Sequence, residues 1–222
     1  MGGAGFCCIP YELAVEHGAD MVLFRCWRDG FSYRNPVSIP LPDRFVPQEQ
    51  VMDLLHHGGG LGAWSKLYHR RLFAQIRYPV GRVYEDVGTT YKLVHEAEHI
   101  WAANAILYHY CFRVGSIVNT PTEKNLRDKH EMLMQEARGL ESYGFTKLAN
   151  EVLASASLSY LVSFGRHADC SATCVHTLRN EKQTLQKDTW RRKALQAALF
   201  RFPPLFDLAC ILFGKRIRKR MR

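Results

Sequence analysis

The sequence lacks any apolar run long enough to cross a bilayer. Its most apolar late stretch, residues 195–213, is interrupted by charged residues and by two adjacent prolines, whereas a spanning helix needs about 20 consecutive apolar residues. The N-terminal residues also lack the basic segment followed by an apolar stretch that marks a secretory signal. We therefore expect neither a spanning helix nor a signal peptide in this sequence.

A disulfide framework is also missing. The seven cysteines are odd in number and irregularly spaced, and a chain of 222 residues can bury a sizeable core without cross-links. This pattern favours a reducing compartment. One cluster of possible metal ligands, His167, Cys170, Cys174 and His176, has a C-x3-C spacing that is unusual for zinc, so we expect it to be structural.

The main body of the chain has no excess of positive charge. The net charge is +9, but residues 190–222 alone contain ten Lys or Arg and a single acid, Asp207. Residues 1–189 therefore sum to zero. A nucleic-acid groove would require a basic face within the folded body, so this distribution argues against a nucleic-acid partner.

Hydrophobic patterning predicts an α/β region followed by helices. The expected elements are a helix ending at His17, a strand at residues 21–26, a hairpin at 31–39, helices at 47–55 and 85–97, strands at 98–102 and 105–112, and helices at 122–142, 144–164, 168–188 and around Pro203–Pro204. Three regions are predicted from this pattern: an α/β region over residues 1–120, a helical extension over 121–189 and a basic tail over 190–222.

Four short motifs follow one another between residues 64 and 117. Residues 64–68 read W-S-K-L-Y, residues 76–79 read I-R-Y-P, residues 81–86 read G-R-V-Y-E-D, and residues 115–117 read G-S-I. In this order and spacing they resemble the acceptor half of family 2 glycosyltransferases, over roughly residues 11 to 165. The resemblance implies an α/β fold: a partial GT-A (Rossmann-like) acceptor subdomain followed by a mainly helical C-terminal region.

The motifs that bind the sugar donor in that family are absent. The chain contains no P-x-Y-N, no D-D-G-S and no D-x-D. It therefore resembles such an enzyme without its donor-binding half, which implies that these residues alone are inactive. The intact enzyme would use a nucleotide-sugar donor and a divalent metal, Mg²⁺ or Mn²⁺.

The Glu85–Asp86 pair carries the catalytic role in this resemblance. Asp86 occupies the position of the family's candidate base and would take the proton of an acceptor hydroxyl during inverting transfer, with Glu85 beside it. Without the flanking motifs, two acids in the first turn of a helix are typical of capping and of stabilisation by the helix dipole. Both interpretations remain open from the sequence.

Five further residues are candidate contacts by the same resemblance. Trp64 would form an acceptor-sugar platform, or else a core tryptophan. Lys66 and Arg77 would contact the acceptor or its phosphates, or else be solvated surface cations. Arg113 would bind the donor diphosphate, and His109 would complete a metal site, although its place in an alternating strand favours a structural role.

The C-terminal tail combines an apolar face with a cationic end. After Pro203–Pro204, helical spacing places Leu205, Leu208, Ala209, Leu212 and Phe213 on one side. The six cations that follow are Lys215, Arg216, Arg218, Lys219, Arg220 and Arg222. Such a segment suits an interfacial helix on anionic lipid, and a solvated, disordered charge run is the alternative.

Together these observations predict a truncated, inverting glycosyltransferase. It would transfer a sugar from a nucleotide-sugar donor to a saccharide or lipid-linked acceptor in bacterial surface polysaccharide biosynthesis, as a cytoplasmic protein peripheral to the inner face of the cell membrane. The alternative is a non-catalytic membrane-surface or scaffold module that keeps the acceptor fold for binding alone.

Overall fold

The computed structural model describes residues 5–29, 40–58, 62–111, 113, 115–117, 122–180 and 190–220. The hairpin predicted at residues 31–39 and Arg222 lie outside these residues, as do the side chains of Leu212, Lys215, Arg216, Arg218, Lys219 and Arg220. The chain divides into two compact units. The first comprises residues 1–79 and 85–114, and the second comprises residues 80–84 and 115–222.

A four-stranded mixed sheet forms the centre of the first unit. Its strands are β1 (Met21–Arg28), β2 (Arg44–Phe45), β3 (Lys66–Tyr68) and β4 (Ile100–Tyr110), in the order β2-β4-β1-β3. β1 pairs parallel with β4 and antiparallel with β3, and β2 pairs antiparallel with β4. The apolar run of β1 is almost wholly buried, as expected for a strand with neighbours on both sides.

Residues 98–112 were predicted to form two strands, and the structure corrects this to the single strand β4. The polar Asn104 interrupts the apolar pattern of the sequence without interrupting the strand. Its backbone N–H donates to Asp43 Oδ1 at 2.6 Å, and its side-chain oxygen accepts from the backbone N–H of Leu41 and from Arg25. Because groups from distant parts of the chain satisfy these polar atoms, the backbone stays extended through Asn104.

Three α-helices belong to the first unit: α1 (Gly5–His17), α2 (Gln48–Gly58) and α3 (Thr90–Glu96). The helix predicted at residues 85–97 therefore starts five residues late. Residues 85–89 form turns, and the backbone carbonyl of Asp86 accepts from the N–H groups of Thr89 and Thr90. Gly88 lies within this segment and disfavours a regular helix.

Asp20 joins three segments of the first unit. Its carboxylate accepts from the backbone N–H groups of Glu98 and His99 at 2.9 and 3.0 Å and forms an ion pair with Arg71 at 2.7 Å. Burial alone would raise the pKa of Asp20, but the Arg71 hydrogen bond and the two backbone donors lower it below its usual value. This acid therefore stabilises the start of the sheet.

The second unit is helical. Its helices are α4 (Glu123–Ser142), α5 (Thr146–Phe164), α6 (Ser171–Asn180), α7 (Trp190–Arg201) and α8 (Pro203–Arg220). α5, α6, α7 and α8 share one core, whose buried members are Ala154, Leu158, Tyr160, Leu161, Cys174, Leu178, Leu199, Phe206 and Cys210. No helix in the described part of the chain is both long enough and apolar enough to span a bilayer. An α/β unit followed by a helical unit is the fold class predicted from the sequence.

Candidate active site

Lys66 is buried at the edge of the sheet in the first unit. It begins β3 opposite Leu23 of β1, and only 7% of its surface is exposed. Its Nζ donates to the carbonyl oxygen of Gly62 at 2.6 Å. Burial lowers the pKa of Lys66 to about 7, against the opposing attraction of Asp86. The alternative of a solvated surface cation is therefore wrong for this residue.

Gly62 is a part of the site that the sequence did not single out. Besides accepting from Lys66, it lies against the indole of Trp64, and a Cβ at this position would overlap the Trp64 ring. Only glycine leaves room for that ring without a shift of the backbone or the indole. The available sequence signal for Gly62 is its position two residues before Trp64 of the W-S-K motif.

Asp86 is a half-buried acid whose pKa is raised. Burial is the main cause and the nearby charge of Glu85 adds to it, while Lys66 and the backbone N–H of Val87, which donates to Oδ1 at 2.9 Å, act in the opposite direction. The N-cap residue of α3 is Thr89, three residues further on. The side chain of Asp86 therefore does not cap this helix.

Two tyrosines near Asp86 are held in their neutral form. Burial raises the pKa of Tyr68 well above its ordinary value, and burial also raises that of Tyr78. The Asp86 charge contributes to both shifts. The ring of Phe73 packs near both tyrosines, with its centroid 5.6 Å from that of Tyr68 and 6.0 Å from that of Tyr78. Asp86 thus lies beside aromatic rings whose hydroxyls remain protonated at neutral pH.

Trp64 is half-buried and belongs to a second aromatic group. Its indole stacks on Tyr108 with the ring centroids 4.8 Å apart and lies 5.2 Å from Tyr110, both on β4. This position is intermediate between the two predictions, because the ring is neither fully exposed nor part of a sealed core. Aromatic rings held in this way present a rigid apolar surface.

The remaining predicted contacts lie at the surface. Arg77 is exposed and donates to the carbonyl of Ile76 at 2.8 Å, and Arg113 is exposed just beyond the end of β4. His109 Nε2 lies 3.7 Å from Asp29 Oδ2, and both side chains are about half exposed or more. The structure thus brings Lys66 and Glu85 within electrostatic range of Asp86, leaves Trp64 half-buried, and leaves Arg77, Arg113 and His109 at the surface.

A divalent metal has no ligand set among the described residues. No three His, Cys, Asp or Glu side chains converge there as a metal ion requires. Of the helical cluster considered from the sequence, Cys174 is buried in the core of the second unit while Cys170 is exposed. The described residues therefore supply no complete ligand set for the metal that the resemblance implies.

The turn that precedes Glu85 belongs to the second unit and is fixed by Asp128 of α4. Arg82 Nη1 donates to Asp128 Oδ1 at 2.7 Å, and the backbone N–H of Val83 donates to Oδ2 at 3.2 Å. Lys124 donates to the same carboxylate. One sequence signal for this carboxylate was available, the helical i, i+4 spacing of Lys124 and Asp128.

Tyr84 ends this turn in a left-handed backbone conformation. Its φ is 60°, a value that residues with a Cβ adopt rarely, and Lys129 Nζ lies 5.5 Å from the centre of its ring. Gly81, at φ 74°, meets the same requirement without strain. The left-handed conformation is therefore free of steric strain at Gly81 and carries a steric cost at Tyr84.

No protein-family model matches the chain. Over 133 residues it is 26% identical to a protein named Glycosyltransferase GlyA from Streptococcus pneumoniae serotype 4, an alignment that covers 60% of this chain and 19% of that protein. The chain thus spans about a fifth of the length of this curated relative. It is similar to a glycosyltransferase.

The fold is similar to that of TarS from S. aureus, residues 1–349, whose crystal structure was solved in complex with UDP-GlcNAc. The two superpose with a TM-score of 0.52 at 16% identity, covering 97% of this chain and 64% of that one. This likeness confirms the predicted fold class, an α/β fold of the Rossmann-like type followed by helices.

Proposed function

We propose that this chain forms the acceptor-side part of a family 2 glycosyltransferase. The reaction is transfer of a sugar from a nucleotide-sugar donor to a hydroxyl of a saccharide or lipid-linked acceptor, with inversion. The observation that carries the proposal is Asp86, a half-buried carboxyl whose pKa is raised mainly by burial, at the position of the family's candidate base. The name of the S. pneumoniae relative supports a glycosyltransferase, and the UDP-GlcNAc bound to TarS supports a nucleotide-sugar donor.

Asp86 is the general base of the proposed step. Its carboxylate takes the proton of the acceptor hydroxyl while that oxygen forms a bond to the anomeric carbon. On the opposite face, the bond between that carbon and the phosphate oxygen breaks, and the electron pair leaves with the nucleoside diphosphate. A raised pKa makes the carboxylate a better proton acceptor, and a positioned base contributes ~100-fold to 10,000-fold in rate.

Lys66 places a positive charge near Asp86. With a pKa of about 7, it is partly protonated at neutral pH, and its positive charge favours the ionised form of Asp86. It therefore acts as a positioning residue. Trp64 offers its ring to the apolar face of the acceptor sugar, and Arg77 is the proposed contact for acceptor phosphates.

Donor contacts in this proposal come largely from outside the described residues. The sequence contains no D-x-D. Arg113 is the proposed contact with the diphosphate, and Mg²⁺ or Mn²⁺ remains part of the proposal for the intact enzyme. His109 and Asp29 lie close enough to supply two ligands at most. Each role assigned in this proposal belongs to a side chain of this chain.

The decisive experiment restores donor binding by joining the donor-binding half of a similar glycosyltransferase ahead of these residues. In that chimera, Asp86→Asn is expected to lower turnover by ~100-fold or more while leaving the donor dissociation constant unchanged. Glu85→Gln is the matched control, since it removes the adjacent carboxylate and should cost much less. Equal and small losses from both changes would contradict the role of Asp86 as base.

The chain by itself provides a second test. Calorimetry with UDP-GlcNAc and Mn²⁺ should show no binding, because the donor contacts are proposed to lie elsewhere. Low-micromolar binding would refute that assignment.

A binding module without catalysis is the second candidate, and the missing D-x-D is the observation that favours it. It predicts that a saccharide acceptor binds to the chain, that the chimera transfers no sugar, and that Asp86→Asn leaves acceptor binding intact. For the catalytic proposal, the setting would be bacterial surface polysaccharide biosynthesis at the inner face of the cytoplasmic membrane.

A further inference from the structure

One side of α8 exposes a row of large apolar side chains. Leu205, Leu208 and Ile211 are 56%, 51% and 47% exposed, and Phe202, just before the helix, is 64% exposed. They follow one another at intervals of three residues, so they lie along a continuous band of the helix surface. We refer to Leu205, Leu208 and Ile211 as the outer row. Single exposed apolar residues are ordinary, but an aligned set in one element indicates a contact surface.

The opposite side of α8 is already committed to the core of the second unit. Phe206 and Cys210 are buried there, and Asp207 forms an ion pair with Arg166, whose Nε donates to Asp207 Oδ1 at 2.8 Å. This corrects the face predicted from the sequence, because Ala209 is half-buried rather than part of the outer row. The contacts of Phe206, Cys210 and Asp207 set the orientation of α8 about its axis. The outer row is therefore exposed to solvent.

The same helix continues into a cluster of cations. α8 runs to Arg220, and five of its last six residues are Lys or Arg. In the sequence, Lys215 and Lys219 follow Leu208 by seven and eleven residues, which is close to two and three turns of a helix. An apolar band followed by cations matches the interface of an anionic bilayer, where acyl chains lie beneath negatively charged headgroups.

We propose that the outer row of α8 and the cations that follow it form a docking surface for an anionic lipid bilayer. The apolar side chains insert at the level of the headgroups, and the cations contact lipid phosphates. Both contributions are required, because a short apolar band alone binds weakly and basic residues alone are readily screened by salt. The surface works independently of sugar transfer, so it stands even if the proposed function fails.

Vesicle flotation of the full chain tests this surface. The wild-type chain should float with vesicles of phosphatidylcholine and phosphatidylglycerol and remain behind with phosphatidylcholine alone. The double variant Leu205→Gln and Leu208→Gln should bind the anionic vesicles at least ~tenfold more weakly even at low salt, and Lys215→Glu with Lys219→Glu should lose binding to a similar extent. Raising salt from about 0.1 M to about 1 M, which shortens the screening length from ~10 Å to ~3 Å, should weaken wild-type binding.

Val15→Gln is the matched control. Val15 is 65% exposed on α1, so the change has the same chemistry at an exposed helical position and should leave flotation unchanged. Circular dichroism and thermal unfolding of each variant check that it folds, and all of the altered apolar side chains are exposed. Equal flotation with neutral vesicles, or unchanged flotation of both double variants, overturns the proposal. The proposal is also overturned if the wild-type chain does not float and instead forms a dimer that the Leu205→Gln and Leu208→Gln changes dissociate.

Discussion

Two aspartates, Asp128 in the second unit and Asp86 in the first, have pKa values shifted in opposite directions. In the second unit, the side chain of Asp128 is 2% exposed and accepts from Arg82, Lys124 and the backbone of Val83. Burial would raise its pKa, but those hydrogen bonds lower it to about 2. In the first unit, burial prevails at Asp86 and its pKa is raised. The same side chain is thus stabilised as an anion in one unit and destabilised as an anion in the other.

This difference separates structural carboxylates from a candidate base. Asp169 and Asp207, like Asp128, have lowered pKa values because of hydrogen bonds from side chains, and each forms an ion pair with an arginine. Asp20 shows that the first unit also contains a carboxylate of this structural kind. The surroundings of each acid, and not the unit in which it lies, therefore decide the direction of its pKa shift. An acid whose ionised form is disfavoured by its site is the better candidate for proton transfer.

The largest expected effect concerns the pH dependence of stability at Lys66. Its folded pKa of about 7 lies below the ordinary lysine value of 10.5, so between these two values the unfolded chain binds a proton that the folded chain does not. The free energy of unfolding should therefore rise with pH from 7 to 10 by about 1.4 kcal/mol per pH unit, relative to Lys66→Met. Urea unfolding of both chains across this range measures the difference.

Lys147→Met, an exposed lysine on α5, is the matched control for Lys66. It should keep the slope of the wild-type chain. If Lys66→Met keeps that slope too, Lys66 is charged in the folded protein and its assigned influence on Asp86 must change.

The next effect is the loss of Asp128. Asp128→Ala should lower the free energy of unfolding by about 2 to 3 kcal/mol, since hydrogen bonds to charged groups contribute roughly 1.5 to 3 kcal/mol and both cations are partly exposed. Glu131→Ala is the control. Glu131 also pairs with Arg82, at 2.8 Å, but its side chain is 51% exposed, so its loss should cost under about 1 kcal/mol.

Acid titration gives the Asp128 prediction a second readout. Because its folded pKa is lowered, its contribution is fully present above the ordinary value of 3.8 and is lost as pH falls towards about 2. The difference in stability between wild type and Asp128→Ala should shrink over that interval. A difference that stays constant would assign the effect to packing rather than to charge.

The smallest expected effect has the opposite sign. Asp86→Asn should leave stability at pH 7 unchanged or raise it by less than about 1 kcal/mol, because the ionised carboxylate is disfavoured by its burial. The gain should decrease as pH is lowered and wild-type Asp86 becomes protonated. Thermal unfolding of both chains at pH 7 and at acid pH provides the measurement. A loss as large as that of Asp128→Ala would return Asp86 to a structural role.

Much of the fold was accessible from local sequence signals. The helix that ends at His17, the apolar strand β1 and the long helices α4 and α5 were predicted close to their observed bounds. Their patterns are long and periodic, and glycine marks several of their ends. β4 was divided in two because the contacts that satisfy Asn104 come from residues 41 and 43, far away in the sequence.

The site was accessible only in part. The motif order identified Asp86 and Lys66 as candidates, but the burial of Lys66 depends on the pairing of β3 with β1 and was not predicted. Asp128 was missed because its partner Arg82 is 46 residues away in the chain. Charges read along a sequence do not show which of them are enclosed by tertiary packing, and that enclosure decides their pKa values.

The left-handed conformation of Tyr84 also bears on how this protein could change under selection. An L-residue in that region costs about 1 to 2 kcal/mol compared with an ordinary conformation, and glycine would adopt the same turn without the steric cost. A directed-evolution search for heat resistance would therefore be expected to recover glycine or asparagine at position 84. If such variants gained stability and lost activity, the strained turn would mark a compromise between durability and function.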